Sequence, residues 1–173
     1  MNIEGKKIIL RAIDQKDFQL LLDLINDSET EYMLGGWSFP VSKQMQLDWI
    51  SSQSNDSKTL RCIIDSIDDN SSIGTVMLTD IDYKNGNAEV HIKISDDGQR
   101  GKGYGFDALT TVIDYAFSEL RLKCIYAKIS THNTASLSLF TKCGFEKEGI
   151  LRKRLFKRGE YMDVSVLSIL NLS

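Results

Sequence analysis

Cysteine, proline and net positive charge are all scarce in this 173-residue chain. Three cysteines, Cys62, Cys124 and Cys143, stand far apart with no metal-ligand spacing. They offer neither a zinc site nor a disulfide framework and read as buried thiols in a reducing compartment. No metal is expected. A formal charge of −3 and a pI near 5.4 argue against a nucleic-acid binder and fit a protein that handles small cations. Nowhere do about 18 apolar residues run uninterrupted, so no membrane span is expected. The apolar run after Lys6-Lys7 is broken at Arg11, too soon for a secretory h-region, so a cytoplasmic location is expected. Proline occurs once, at Pro40, and no repeat, low-complexity tract or linker divides the chain. The length suits one domain over residues 1–173 with a real core.

What the chain does contain is periodicity. Lys7 to Ile13 reads as an edge strand, and Asp14 with Asp17 caps a helix carrying Phe18, Leu21, Leu22 and Ile25 on one face. Gly35-Gly36-Trp37-Ser38-Phe39-Pro40 breaks the pattern, and Ser42 caps a second helix with Met45 and Trp49 on a shared face. Three strand-like runs follow: Leu60 to Ile67, Ile73 to Ile81 and Glu89 to Ser95, with Asn85-Gly86 as a hairpin turn before the third. In that third run Val90, Ile92 and Ile94 point one way, while Glu89, His91 and Lys93 point the other. Leu109, Val112, Ile113, Ala116 and Leu120 form a helical stripe, and Cys124 to Ser130 reads as a strand parallel to the one before it. Asn133 caps a further helix ended by Gly144, and Phe145 to Phe156 and Tyr161 to Leu170 close the chain as a hairpin about Lys157-Arg158-Gly159. The fold class is therefore α+β, with a mixed, mostly antiparallel central sheet flanked by helices.

Between the third strand and the long helix lies Gln99-Arg100-Gly101-Lys102-Gly103-Tyr104-Gly105. Alternate glycines let backbone N–H groups turn inward, and a helix start adds positive potential, so the segment is a candidate phosphate cradle. A Walker loop needs a Lys-Ser/Thr pair after its last glycine, where Phe106-Asp107 stands. A dinucleotide loop needs an acidic residue about 20 positions on, where the chain reads Arg121-Leu122-Lys123. Coenzyme A is the remaining reading. Arg100, Gly103 and Gly105, followed by Asn133, Ala135, Phe140, Gly144 and Phe145, match the two motifs of the GNAT superfamily of acyl-CoA-dependent N-acyltransferases. The chain resembles that superfamily from about Lys7 to Leu170. Its tail, Glu148 to Arg152 and Gly159 to Asp163, is similar to the branch holding ribosomal-protein N-terminal (alanine) and spermidine/spermine acetyltransferases.

The resemblance implies an acetyl-CoA-dependent transfer of acetyl to a primary amine by direct attack, without a metal. It implies that amides of Arg100, Gly101, Lys102, Gly103, Tyr104 and Gly105 hold the diphosphate, and that the main-chain edge of Ile92, Lys93 and Ile94 pairs with the pantetheine arm. Asn133 would cap its helix and also bond the arm, and Lys142 stands where it can approach the nucleotide or simply face solvent. Phe140 occupies the position where much of the family places a tyrosine that protonates the leaving thiolate. A general acid is worth about 10²–10⁴ in rate, so either Tyr104, Tyr161, Ser138 or water substitutes, or turnover is slow. The base is Glu89, which resembles the family's strand glutamate, with His91 as the competing base. Cys143 and Cys124 lack an acid–base partner for covalent catalysis.

Glu29, Glu31 and Tyr32 fall at the family's substrate loop, where two acids would suit a polycation. The run Arg152-Lys153-Arg154 with Lys157-Arg158 reads as a solvated hairpin or a contact to cofactor or a second subunit. Expected acceptors are a polyamine or other small amine, then a protein N-terminus, then an amino sugar. The rival reading is a CoA-binding sensor without appreciable turnover. Family members often dimerise through sheet edges, so a homodimer or higher homo-oligomer is an open expectation.

Overall fold

A computed structural model describes residues 1–36, 38–53, 56–95 and 99–173. Trp37 of the expected glycine-rich break lies outside the described residues. Eight strands form one sheet: β1 (Ile3–Glu4), β2 (Ile8–Arg11), β3 (Leu60–Ser66), β4 (Ser72–Asp82), β5 (Asn87–Ile94), β6 (Cys124–Ser130), β7 (Glu146–Lys157) and β8 (Glu160–Leu170). Their order is β1-β2-β3-β4-β5-β6-β8-β7, and every neighbouring pair is antiparallel except β5–β6. The helices are α1 (Phe18–Asn26), α2 (Ser28–Leu34), α3 (Lys43–Ser51), α4 (Tyr104–Ser118) and α5 (Thr134–Lys142). The mixed-sheet expectation holds.

The strand expected over Lys7 to Ile13 is shorter, and β1 lies outside it in the sheet. Asp14 and Asp17 do form a capping box, around a 3-10 turn at Gln15–Asp17 that leads into α1. Arg11 locks this start in place. Its guanidinium grips both Asp17 oxygens at 2.8 and 2.7 Å and reaches Asp65 on β3 at 2.5 Å, tying β2, β3 and α1 together. α2 is not expected from the sequence, which carries no apolar stripe there. Only Asp27, which accepts from the Thr30 N–H, and the left-handed Gly35 mark its ends.

The two faces of the sheet are filled differently. Under α4 and α5, Leu109, Val112 and Ala116 pack on Ile64, Val76, Val90 and Ile125 in one continuous core. Under α1 and α3, the buried apolar cluster consists of Leu21, Ile50 and Ile63. Helix α3 leaves Met45 and Trp49 partly exposed rather than burying the face they share. Close approach of β4 to β5 depends on Gly74. A Cβ there would meet the Lys93 carbonyl oxygen at 2.1 Å, a backbone atom that cannot move aside cheaply.

Candidate active site

β5 and β6 are paired only at Asn87–Cys124, Ala88–Ile125 and Glu89–Tyr126. Both strands continue beyond that point, β5 to Ile94 and β6 to Ser130, each held on its outer side by another strand. The sheet therefore forks at Glu89. Past the fork, the inner edge of β5 at Ile92, Lys93 and Ile94 has no strand partner among the described residues, which leaves main-chain donors and acceptors for an extended ligand. A bulge in β4 lies opposite, where Asp80 takes a left-handed φ of 51° and the register to β5 shifts after Thr79.

At the open end of β5 the glycine loop behaves as its sequence demands. Gly101 and Gly103 have φ of 79° and 87°, conformations in which a side chain is strained. Gly103 is the N-cap of α4 and no side chain caps that helix, so its first-turn N–H groups are open to an anion. Gly105 serves packing instead. A Cβ there would press on Leu139 at 3.3 Å, so its absence lets α4 and α5 approach. The loop charges are tied locally. Lys102 reaches Gln99 at 3.5 Å, and Arg100 reaches the Ile94 carbonyl at 3.4 Å. Lys7, absent from the expected set, donates to the Lys102 carbonyl at 3.1 Å and adds a third cation beside the loop. Buried Asp107 in the first turn of α4 holds Lys7 by accepting from its backbone N–H at 2.7 Å.

The expected base sits at the fork itself. Glu89 is 7 % exposed. One carboxylate oxygen accepts from Lys128 Nζ at 3.0 Å, and the other lies 4.0 Å from His91 Nε2. The hydrogen bond to Glu89 holds the Lys128 ammonium above its ordinary range. Burial pushes the His91 imidazole below its ordinary 6.5, against the pull of the Glu89 and Asp80 carboxylates and with the Lys128 and Lys93 ammoniums opposing its charge. His91 Nε2 also lies 3.0 Å from Thr79 Oγ1. Lys128 was missed because it is 39 residues from Glu89 and meets it only through strand pairing.

Asn133 caps α5 through its Oδ1, which accepts from the Ser136 N–H at 3.1 Å, while Nδ2 donates to the Met33 carbonyl at 3.2 Å. One amide hydrogen and one lone pair remain for a ligand. Phe140 is 2 % exposed and meets Phe145 edge-on, with ring centroids 4.9 Å apart. Of the expected substitutes for a tyrosine there, Tyr104 turns its hydroxyl inward to Asp68 at 2.8 Å and accepts from Ser66 at 3.2 Å. Tyr161 lies on the far hairpin against Phe156, and Ser138 is exposed on α5. None of the three stands at the fork. Lys142 lies over the Phe106 ring, 5.2 Å from its centroid. Of the three cysteines only Cys62 is fully buried; burial pushes the Cys62 and Cys143 thiols up to about 11 and raises Cys124, which disfavours the thiolate.

Helix α2 straps the open side. Glu31, 7 % exposed, binds Lys93 Nζ at 2.5 Å, and its second oxygen is buried without a hydrogen-bond partner among the described residues. Tyr32 stacks beside His132 and under Arg158, and Arg158 pairs with Glu29. Lys157 reaches Ser38 at 3.2 Å. Arg158 thus folds back onto α2 and Lys157 onto the segment after it, while Lys153 stays within the hairpin on the Tyr161 carbonyl, and both acids expected to meet a polycation are paired with the chain's own cations.

A forked sheet thus has an uncapped helix and left-handed glycines at its open end and a buried carboxylate at its apex, an arrangement suited to an extended anionic cosubstrate. The acetyltransferase (GNAT) domain family matches residues 7–146, and the chain belongs to that family. It is 30 % identical to the SPbeta prophage-derived N-acetyltransferase YokL of Bacillus subtilis (strain 168), over 92 % of this chain and 87 % of that protein. It is 28 % identical to spermidine N(1)-acetyltransferase of Escherichia coli (strain K12), over 88 % of this chain and 80 % of that one. The crystal structure of a Vibrio cholerae spermidine N-acetyltransferase in complex with CoA and spermine superposes with a TM-score of 0.88 at 27 % identity, covering 96 % of both chains. The protein is an acetyl-CoA-dependent N-acetyltransferase acting on amines.

Proposed function

We propose that this enzyme acetylates a small primary amine by direct attack, with Glu89 receiving the proton that the incoming ammonium must lose. An alkylammonium has a pKa near 10.4 and no lone pair, so the site must hold the amine neutral as the bond forms. The observation that carries this reading is the placement of a buried carboxylate where β5 and β6 part. One Glu89 oxygen is engaged by Lys128, which leaves the other for the amine proton.

The cosubstrate supplies an acetyl group as a thioester, already activated for transfer to nitrogen. The N–H groups at the start of α4 and in the Gly101–Gly103 loop suit its diphosphate, with Lys7, Arg100 and Lys102 contributing positive charge. The unpaired edge at Ile92, Lys93 and Ile94 suits the pantetheine arm and offers a backbone N–H to the carbonyl oxygen. Asn133 contributes its remaining amide hydrogen. Glu89 takes the ammonium proton and hands it to solvent, the neutral amine then attacks, and as the carbon–nitrogen bond forms and the carbon–sulfur bond breaks the nitrogen's second proton passes to the freed Glu89 carboxylate. The leaving sulfur takes a proton from solvent, since Phe140 has none to give.

A small acceptor is favoured over a protein N-terminus by the strap across the fork, where α2 is held from both sides by Asn133 and by the β7–β8 hairpin. The Vibrio cholerae relative, solved in complex with CoA and spermine, supports an amine as the acceptor. Thiol release from acetyl-CoA with a panel of primary amines is the direct test. Glu89→Gln should lower kcat by about 10²–10⁴ while CoA affinity stays unchanged. Full activity in that variant would remove Glu89 from the chemistry.

A further inference from the structure

The thinly packed face of the sheet is hollow. Between α1, α3 and strands β3 to β5 lies a cavity of about 370 Å³, within the range of small-molecule sites. Leu24, Met45 and Trp49 form its helical wall and Met77 its floor, and among the described residues Arg61 and Lys93 are the charged ones lining it. No carboxylate lines it among the described residues. At its mouth Met45 and Trp49 are 48 % and 37 % exposed, an unusual use of large apolar side chains.

Register ties this cavity to the reaction centre. Met77 pairs with His91 and Thr75 with Lys93, so the floor lies on the face of β5 that carries Glu89. Same-face positions on a strand are about 7 Å apart, so Met77 lies one step from the Thr79–Glu89 pair and a linker of a few atoms running past His91 joins the two places. Each of the three acids already carries one cation of the chain, Glu89 with Lys128, Glu31 with Lys93 and Glu29 with Arg158, and the remaining Glu89 oxygen is the one that meets the reacting nitrogen. A second ammonium entering the cavity would meet Arg61 and the already paired Lys93, with no free carboxylate among the described lining residues to receive it.

We infer that the acceptor is a primary amine with an apolar, preferably aromatic, body, its nitrogen at Glu89 and its body in the cavity, and not a polyamine. This specificity rests on the amine-acetyltransferase reading above.

The test compares 2-phenylethylamine and tryptamine with spermidine, using thiol release from acetyl-CoA by the intact protein. The aromatic amines should exceed spermidine in kcat/KM by at least roughly tenfold. Met45→Glu, at a half-exposed position, should cut the aromatic amines' kcat/KM by about tenfold through KM. Met45→Gln should produce a smaller loss in the same direction. A thermal upshift with CoA in both variants shows that they remain folded. Preference for spermidine, or variants with unchanged selectivity, would overturn the inference and leave the acetyl transfer standing. CoA binding with no thiol release on any amine would overturn both.

Discussion

Glu89 and Lys128 show how much of a residue's chemistry lies outside its own segment. Alternation along Glu89 to Ile94 is enough to separate a polar face from an apolar one. The ammonium that holds Glu89, and the paired state of Glu31, arise from neighbours 39 and 62 residues away. His91 illustrates the cost of that face. Its imidazole is pushed below 6.5 by burial, so below that pH the unfolded chain binds a proton that the folded chain resists. Its contribution to stability is therefore present above 6.5 and declines as the pH falls toward the folded value. His91→Gln should flatten the fall in Tm across that window in buffered thermal melts. An unchanged profile would show that His91 is not the group being titrated.

Among the elements, those with strong periodicity are legible in the sequence and those without it are not. Cys124 to Ser130 reads as a strand with the limits it has in the sheet, and the Asn133 cap and the left-handed Gly144 bound α5 as expected. Helix α2 carries no such signal, because Ser28–Leu34 is short and polar and owes its place to the hairpin and the Asn133 turn. Gly74 is equally silent, since nothing in its neighbours shows that β5 runs against it. Gly74→Ala should destabilise the fold by about 1–3 kcal/mol or more, because the obstructing atoms are backbone. The displaced strand is the one whose free edge faces the fork. KM for acetyl-CoA should therefore rise even where the variant stays folded, and denaturant melts with kinetics separate the two effects.

At the scale of the molecule, Arg11 joins the first strands to the first helix, while the fork and the hollow lie further along the same sheet. For Asp17, burial raises the carboxyl, but hydrogen bonds from Arg11 and the Asp14 backbone prevail and hold it below its ordinary 3.8. That stability is present above 3.8 and is lost as the pH falls through the folded value. Asp17→Asn should cost about 2–3 kcal/mol at neutral pH. For a chain of this size that is about 2–4 °C in Tm per kcal/mol. The gap from the parent should shrink in acid; a gap independent of pH would point to packing rather than charge.

Consecutive residues alone determined the left-handed glycine loop, the strand that leads to it and the capped helix beyond, because turn geometry, alternation and capping are local backbone properties. Only the assembled sheet decided where β5 and β6 separate, which acid keeps which cation and how much space remains under α1 and α3. Those outcomes depend on side-chain volumes and charges brought together from distant parts of the chain, and no local pattern encodes them.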